Sequence, residues 1–129
     1  LLGQTNEPAG AAKASNLRAT VALIGLGTWG REILNTLALL PEADIVAICD
    51  KYPASVKRAS SIAPKATTTQ DYKTILENKD IKAVIIATPT YQHKDLPLAA
   101  LKADKHVYCE APLATTVEDA REIARPATA

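Results

Sequence analysis

The feature that most constrains this chain is a set of three spaced glycines between an apolar run and a helix-like segment. Gly25, Gly27 and Gly30 follow the apolar residues 20–24 and open a segment, residues 28–40, whose apolar side chains recur at helical spacing. In such a turn the first glycine permits a sharp bend, the second lets backbone approach a phosphate, and the third lets the helix pack on the strand. The pattern therefore predicts a strand, a turn and a helix whose N-terminus holds a pyrophosphate.

A regular alternation of strand-like and helix-like segments continues through the rest of the chain. The predicted strands cover residues 20–24, 45–49, 66–68, 83–87 and 107–109, and helix-period segments separate them. Parallel strands joined by right-handed helical crossovers form a doubly wound sheet. We therefore predict an α/β fold with a mostly parallel sheet, as a single Rossmann domain over residues 18–129. Residues 1–17 have no sustained periodicity and are expected to form a flexible N-terminal arm.

The last predicted helix begins at a capping-box pattern, in which Thr115 is followed three residues later by Glu118. Its apolar spacing predicts that four residues face the core, namely Val117, Ala120, Ile123 and Ala124. Pro126 is expected to end this helix, because proline cannot continue the pattern of backbone hydrogen bonds.

Several reactive side chains are assigned no chemistry. Cys49 and Cys109 end the second and fifth predicted strands, which in the usual strand order lie on the order of 14 Å apart, beyond disulfide reach. We expect them to be buried free thiols. Lys94, Lys102 and Lys105 are expected on solvated surfaces. No metal site is predicted.

Composition and charge argue against several partners. The formal net charge is +1 and the basic residues form no stripe, so nucleic acid is not expected as a partner. No apolar run reaches the roughly 18 residues of a spanning helix, so a membrane is not expected either. The cytoplasm is the favoured compartment, with an exported form left open. The lack of Met and the Ala-rich end at residues 126–129 suggest a processed, truncated or engineered piece of a longer protein.

A carboxylate at the end of the second predicted strand is the second sequence feature, after the glycine turn, that indicates a dinucleotide-binding site. Asp50 lies about twenty residues beyond Gly30, where a carboxylate accepts hydrogen bonds from the adenosine ribose hydroxyls. It would repel a 2′-phosphate, which favours NAD as the cofactor. Lys51 beside it could soften that preference, so NADP stays open. The alternative is that the three glycines serve packing alone.

Other nucleotide-binding turns fit less well. A phosphate loop of the Walker A type needs Lys followed by Ser or Thr after the last glycine, and Arg31 and Glu32 stand there instead. A site for S-adenosylmethionine also uses a Gly-rich turn and a later acid. It usually carries an acid two residues before the turn, where this chain has Leu23. Methyltransferase function is therefore a distant third hypothesis.

The loops after the fourth and fifth predicted strands are expected to complete the site, because ligands bind outside the carboxyl ends of such strands. His93 could approach the nicotinamide or substrate, or it could merely help to open the next helix. Glu110 is expected to contact cofactor or neighbouring backbone rather than to act as a base. The residues predicted to bind the cofactor are Gly25, Leu26, Gly27, Thr28, Trp29, Gly30, Asp50, Lys51, Thr88, Pro89, His93 and Glu110.

Residues 21–124 resemble the N-terminal domain of the glucose-fructose oxidoreductase and inositol dehydrogenase (Gfo/Idh/MocA) family. The resemblance rests on four stretches: residues 25–30, residues 48–50, residues 87–89 with His93, and residues 105–110 with Pro112. It implies an oxidoreductase that moves hydride between a nicotinamide ring and a hydroxyl carbon of a sugar, cyclitol or related polyol. Members similar to this chain carry a second α/β domain that forms the substrate pocket and an oligomer interface, and nothing here could be that domain. The resemblance thus leaves a homo-oligomer open.

The chain departs from the family pattern at the reacting centre. The family's Glu-Lys-Pro motif reads Glu110-Ala111-Pro112 here, and Thr90 stands where Asn is common. In family members that Lys helps the proton movement that accompanies hydride transfer, so Ala111 removes a charged donor. The resemblance implies that the isolated chain binds cofactor without turnover. The alternative is a non-catalytic nucleotide-binding sensor or interaction module that has lost the catalytic Lys.

Overall fold

A computed structural model describes residues 18–128 and contains one five-stranded parallel sheet. Its strands are β1 (Ala19–Ile24), β2 (Ala43–Cys49), β3 (Thr67–Thr69), β4 (Ala83–Ile86) and β5 (His106–Cys109). The strand order is β3-β2-β1-β4-β5, and every neighbouring pair is parallel. The predicted doubly wound α/β fold is thereby confirmed. The arm predicted for residues 1–17 lies outside the described residues.

In the described part of the chain, five α-helices cover the two faces of the sheet: α1 (Thr28–Ala38), α2 (Pro53–Ser60), α3 (Tyr72–Glu77), α4 (Asp95–Lys102) and α5 (Val117–Ala127). Side chains alternate between the faces along each strand, so Leu23 packs with Leu34 of α1 while Ile24 packs with Ile75 of α3. Both faces are therefore apolar, as expected for a buried parallel sheet. Within residues 18–128, every helix is too short or too polar to cross a bilayer.

The position of β1 creates the crevice in which ligands of such folds bind. The chain passes from β1 to β2 and β3 on one side and then crosses to β4 on the other side. Ile24 at the end of β1 is paired with Ile86 of β4 and with Cys49 of β2. The loops after β1 and β4 therefore diverge from a common point, where helices lie on opposite faces of the sheet.

The start of α5 differs from the prediction by one residue. The N-cap is Thr116, whose hydroxyl accepts a 3.1 Å hydrogen bond from the backbone N–H of Asp119. This shift makes Val117 the first helical residue, and its side chain is 68% exposed rather than buried. Of the other three residues predicted to face the core, Ile123 is buried, Ala120 is half-buried, and Ala124 is exposed, so the prediction was wrong for Ala124 as well. The helix also continues through Pro126, because a proline in the last turn removes only one backbone hydrogen bond.

The three lysines assigned to solvated surfaces have three different environments. Lys102 is exposed as predicted. Lys105 is only 6% exposed, and its ammonium donates hydrogen bonds to the carbonyls of Asn78 and Ile81. The prediction was wrong for Lys105, because the turns before β4 and β5 come together at the amino edge of the sheet. These carbonyls give the buried charge its partners.

Lys94 joins two helices. Its ammonium lies 2.8 Å from a carboxylate oxygen of Asp119 and 2.9 Å from one of Glu122, both on α5. These hydrogen bonds raise the pKa of Lys94 and lower that of Asp119. The contact holds α5 against the start of α4.

Both cysteines are free, as predicted, but only Cys49 is buried, whereas Cys109 on the edge strand is half-buried.

Candidate dinucleotide-binding site

The glycine turn after β1 depends on residues without a side chain at two positions. Gly25 has φ of +100°, and a Cβ there would lie 2.6 Å from the carbonyl carbon of Ala87. At Gly30, a Cβ would lie 2.0 Å from the carbonyl oxygen of Gly25. These two glycines let the turn, the first helical turn of α1 and the end of β4 pack in direct contact.

The middle glycine has a different environment. Gly27 is the N-cap of α1 and has an ordinary extended backbone. Apart from Gly27 and its two chain neighbours, no atom of the described residues lies within 4 Å of the position that a Cβ would occupy. It offers no side-chain acceptor to the N–H groups of the first turn. Those donors, together with the helix dipole, favour an anion in the open space beside Gly27. The turn therefore fits a pyrophosphate.

The carboxylate of Asp50 joins the glycine turn to the loop after β2 through two hydrogen bonds. One carboxylate oxygen, Oδ2, accepts a 2.8 Å hydrogen bond from the N–H of Leu26, and Oδ1 accepts a 2.8 Å bond from the N–H of Tyr52. The side chain of Leu26 points into the core and is fully buried. Leu26 is thus the one residue of the predicted cofactor set that does not line the cavity at the carboxyl edge of the sheet, and its N–H is already bonded to Asp50.

A cavity of about 880 Å³ runs along the carboxyl edge of the sheet. We call it the carboxyl-edge cavity. Its volume is in the usual range for small-molecule and cofactor sites. The predicted residues that line it are Gly25, Gly27, Thr28, Trp29, Gly30, Asp50, Lys51, Thr88, Pro89, His93 and Glu110. The tertiary structure thus brings the loops after β1, β2, β4 and β5 to one surface.

Sequence reasoning missed the part of the cavity beyond Asp50. Five further lining residues come from the loops after β2 and β3 and from the first turns of the helices that follow them, namely Tyr52, Ser55, Gln70, Asp71 and Tyr72. The sequence offered part of the information needed to predict these residues, since the carboxyl ends of all parallel strands lie at the same edge. The evidence for β3 itself was weak, because this strand is only three residues long and consists of threonine, which gives no apolar run.

The side chains of Asp50 and Lys51, at the end of the cavity that follows β2 and β3, carry opposite charges. The Lys51 ammonium lies 4.9 Å from the ring centroid of Tyr52, and interaction with the Tyr52 side chain raises the pKa of Lys51. It therefore stays a cation beside the carboxylate of Asp50. Burial, and next the negative charge of Asp50, raise the pKa of the Cys49 thiol to about 11. This thiol lines the cavity as a neutral group.

The loops after β4 and β5 form the other end of the cavity. His93 is 1% exposed, and its ring nitrogens lie 2.7 Å from the carbonyl oxygen of Pro112 and 2.8 Å from that of Thr88. The N-cap of α4 is Lys94, so His93 does not cap that helix. The hydroxyl of Thr88 is buried and has no hydrogen-bond partner among residues 18–128. Such an orphaned group indicates a place for a ligand or water.

Ala111 lies on the rim at this end and lines the cavity. Among residues 18–128, the titratable groups nearest to Ala111 along the chain are Glu110 and Cys109, and interaction with the Glu110 side chain raises the pKa of Tyr108, one residue further back. No group of three or more potential metal ligands occurs in the described part of the chain. The arrangement can hold a dinucleotide, and it presents no lysine at the motif position next to Glu110.

Comparison with known proteins gives a consistent result. Residues 19–129 match the model of the Gfo/Idh/MocA oxidoreductase family, described as an NAD-binding Rossmann fold. Inositol 2-dehydrogenase of Salmonella typhimurium strain LT2 is 34% identical over 103 residues, which cover 78% of this chain and 31% of that protein. The chain thus spans about a third of the length of such curated relatives.

Two solved structures show the same fold. The myo-inositol dehydrogenase of Lactobacillus casei, in complex with NAD(H) and myo-inositol, has a TM-score of 0.79 at 32% identity, covering 84% of this chain and 33% of that chain. A 3-ketoreductase from Actinomadura kijaniata, in complex with NADP and TDP-benzene, has a TM-score of 0.79 at 27% identity, covering 86% and 34%. The glycine turn, the parallel sheet and these matches agree: the chain belongs to the Gfo/Idh/MocA family of oxidoreductases and comprises its NAD-binding Rossmann domain.

Proposed function

We propose that this chain binds NAD along the carboxyl-edge cavity, with the pyrophosphate at the N-terminus of α1. The observation that carries the proposal is the open space at Gly27, which lies at the start of α1 within the cavity. An anion there meets free backbone N–H groups and the positive end of the helix dipole. The two halves of the dinucleotide then extend toward the loops after β2 and β4.

The adenosine half is proposed to lie toward Asp50. Its carboxylate oxygens each accept one backbone N–H, and each retains lone pairs for the ribose hydroxyls. The same negative charge opposes a 2′-phosphate, so we expect NAD to bind more tightly than NADP. Lys51 at the rim reduces the difference because its ammonium offers a 2′-phosphate a countercharge.

Isothermal titration calorimetry tests both statements. We expect wild-type chain to bind NAD, to bind NADP more weakly, and to give no heat with S-adenosylmethionine. Lys51→Ala should weaken NADP binding more than NAD binding. Lys57→Ala, which removes an exposed lysine of α2 outside the cavity, is the matched control. If neither NAD nor NADP gives heat or a thermal shift at millimolar concentration, the binding proposal fails.

In its relatives, a domain like this one forms about a third of the protein. We propose that the full-length protein containing this domain transfers hydride between the nicotinamide and a hydroxyl carbon of a sugar, cyclitol or related polyol. In the oxidising direction the carbon gives hydride to NAD⁺, the hydroxyl gives its proton to a base, and a ketone and NADH result. With Ala111 at the motif position, this chain lacks the lysine that assists this proton transfer in the family, so the chain alone is proposed to bind without turnover.

The second candidate is a non-catalytic nucleotide-binding sensor or interaction module. The observation that favours it is Ala111, which stands where the family pattern places its Lys. The two candidates differ in the behaviour of the full-length product of the encoding gene, assayed with NAD and a panel of cyclitols and sugars for NADH fluorescence. Turnover supports the enzyme. Tight cofactor binding with no turnover on any member of the panel supports the module.

A further inference from the structure

A single buried side chain joins the loops after β4 and β5. These loops form the end of the carboxyl-edge cavity at which the nicotinamide half of the ligand is proposed to lie. Thr88 belongs to the loop after β4 and Pro112 to the loop after β5. The ring of His93 lies between them, with Nε2 2.8 Å from the carbonyl oxygen of Thr88 and Nδ1 2.7 Å from that of Pro112. Because the ring is 1% exposed, water does not compete for these contacts.

The backbone fixes the position of this ring. Residues Thr90–Gln92 form one turn of 3₁₀ helix, in which Gln92 donates to the carbonyl of Pro89 at 3.0 Å. The N–H of His93 donates to the carbonyl of Thr90, also at 3.0 Å. The side chain therefore leaves a rigid turn at the edge of the cavity rather than a free loop.

The second loop depends on His93 more than the first does. Glu110 still continues the strand ladder, with its N–H donating to the carbonyl of Ile86 at 3.0 Å. Beyond Glu110, the 2.7 Å contact between Nδ1 of His93 and the carbonyl oxygen of Pro112 is the only hydrogen-bond contact in residues 18–128 that reaches Ala111 or Pro112. The course of the chain past the rim residue Ala111 is thus held by this ring.

We propose that His93 is a positioning residue that holds the loops after β4 and β5 at the separation needed to enclose the nicotinamide half of a bound dinucleotide. The inference rests on the proposed function, because it concerns one half of the proposed ligand. The adenosine half is built separately, since the hydrogen bonds of Asp50 join the loops after β1 and β2 without His93. Loss of the ring should therefore affect one half of the ligand and spare the other.

Both partners of the His93 ring are carbonyl oxygens, which accept hydrogen bonds. A side chain at this position can therefore hold the loops only by donating hydrogen bonds. A ring with one N–H donates to one carbonyl, and an imidazolium donates to both. Glutamine, whose amide nitrogen donates hydrogen bonds, retains part of this function. Leucine is of similar size and donates none. The order histidine, glutamine, leucine is therefore the expected order of loop positioning.

The experiment compares NAD with ADP-ribose, which lacks the nicotinamide, by calorimetric titration of wild type, His93→Gln and His93→Leu. In wild type we expect NAD to bind about tenfold more tightly than ADP-ribose, the ratio that about 1.4 kcal/mol of nicotinamide contact produces. In His93→Leu the two affinities should become about equal, with the ADP-ribose affinity changed less than about twofold. His93→Gln should lie between. His106→Leu, at an exposed position on β5 outside the cavity, is the matched control and should behave as wild type.

Each other outcome has a defined meaning. If wild type binds neither ligand, the proposed function itself is wrong. If wild type binds both ligands equally, or if the ratio survives in His93→Leu, the positioning role is overturned while dinucleotide binding stands. If both affinities fall together in both variants, alongside a lowered melting temperature, His93 serves general stability only. The conservative glutamine variant keeps the test valid should the leucine variant fail to fold.

Discussion

The backbone N–H of Leu26 donates a 2.8 Å hydrogen bond to Oδ2 of Asp50, across twenty-four positions of sequence. The acid at the end of β2 therefore shapes the glycine turn as well as facing the cavity. Asp50→Ala leaves the buried N–H of Leu26 without a partner. We expect it to cost about 2–3 kcal/mol of unfolding free energy and to weaken NAD binding at least about tenfold.

Urea unfolding and calorimetric titration measure the two effects of Asp50→Ala. The control is Asp44→Ala, because Asp44 is an exposed acid of the same strand that does not line the cavity. It should change stability by less than about 0.5 kcal/mol. Equal destabilisation by the two substitutions would contradict the pinning role of Asp50.

The glycines of the turn should separate folding from binding. Gly27→Ala adds a methyl group in open space at an ordinary φ, so it should change stability by less than about 1 kcal/mol. The same methyl occupies the space proposed for the pyrophosphate, so NAD affinity should fall more than about tenfold. Thermal unfolding and titration on the same sample check both. Undiminished NAD affinity would place the phosphates elsewhere.

Gly25→Ala is expected to behave in the opposite way. Its φ of +100° and the 2.6 Å approach of a Cβ to the backbone of Ala87 make the substitution strained and crowded. We expect a loss of about 3 kcal/mol or more, seen as a lowered urea midpoint without ligand. A stable Gly25→Ala protein would show that the turn can relax, contrary to this geometry.

The contact between α4 and α5 should respond to acid. The hydrogen bond from Lys94 lowers the pKa of Asp119 below its ordinary value of 3.8. A carboxyl whose pKa is lower in the folded state contributes stability above pH 3.8, and this contribution is lost as pH falls through the folded-state pKa. Asp119→Asn should therefore flatten the acid limb of the melting temperature measured between pH 2 and 7.

Glu118→Gln is the control for that pH series, because Glu118 is exposed on the same helix and has no ion pair in the described part of the chain. Its acid limb should follow wild type. If Asp119→Asn and wild type lose stability in parallel below pH 4, the contact with Lys94 contributes nothing measurable, as many exposed ion pairs do.

The buried lysine at the amino edge should matter for stability but not for the ligand. Lys105→Met removes two hydrogen bonds to the carbonyls of Asn78 and Ile81, so about 2 kcal/mol of unfolding free energy should be lost. Lys102→Met, at an exposed position on α4, should be nearly neutral. NAD affinity should be unchanged in both, since neither lysine lines the carboxyl-edge cavity. A weakened affinity in Lys105→Met would indicate coupling between the two edges.

Much of the fold was predictable because its determinants are local. The alternation of apolar runs with helix-period segments specified the sheet and its parallel sense, and all five strands were found within two residues of their predicted positions. Glycine spacing in a strand-to-helix turn and an acid ending β2 placed the pyrophosphate and adenosine parts of the proposed site. Local backbone conformation and side-chain periodicity decide such features, and both can be inferred from short windows of sequence.

The sequence by itself thus determined the fold class, the family and eleven of the residues that line the carboxyl-edge cavity. The tertiary structure alone decided which groups became partners across long separations: Leu26 with Asp50, His93 with Pro112, and Lys105 with Asn78 and Ile81. It also decided that His93 is buried with both nitrogens engaged and that Val117 faces outward. These outcomes depend on how loops from separate strands meet once the sheet has formed, and no local pattern of residues encodes that meeting.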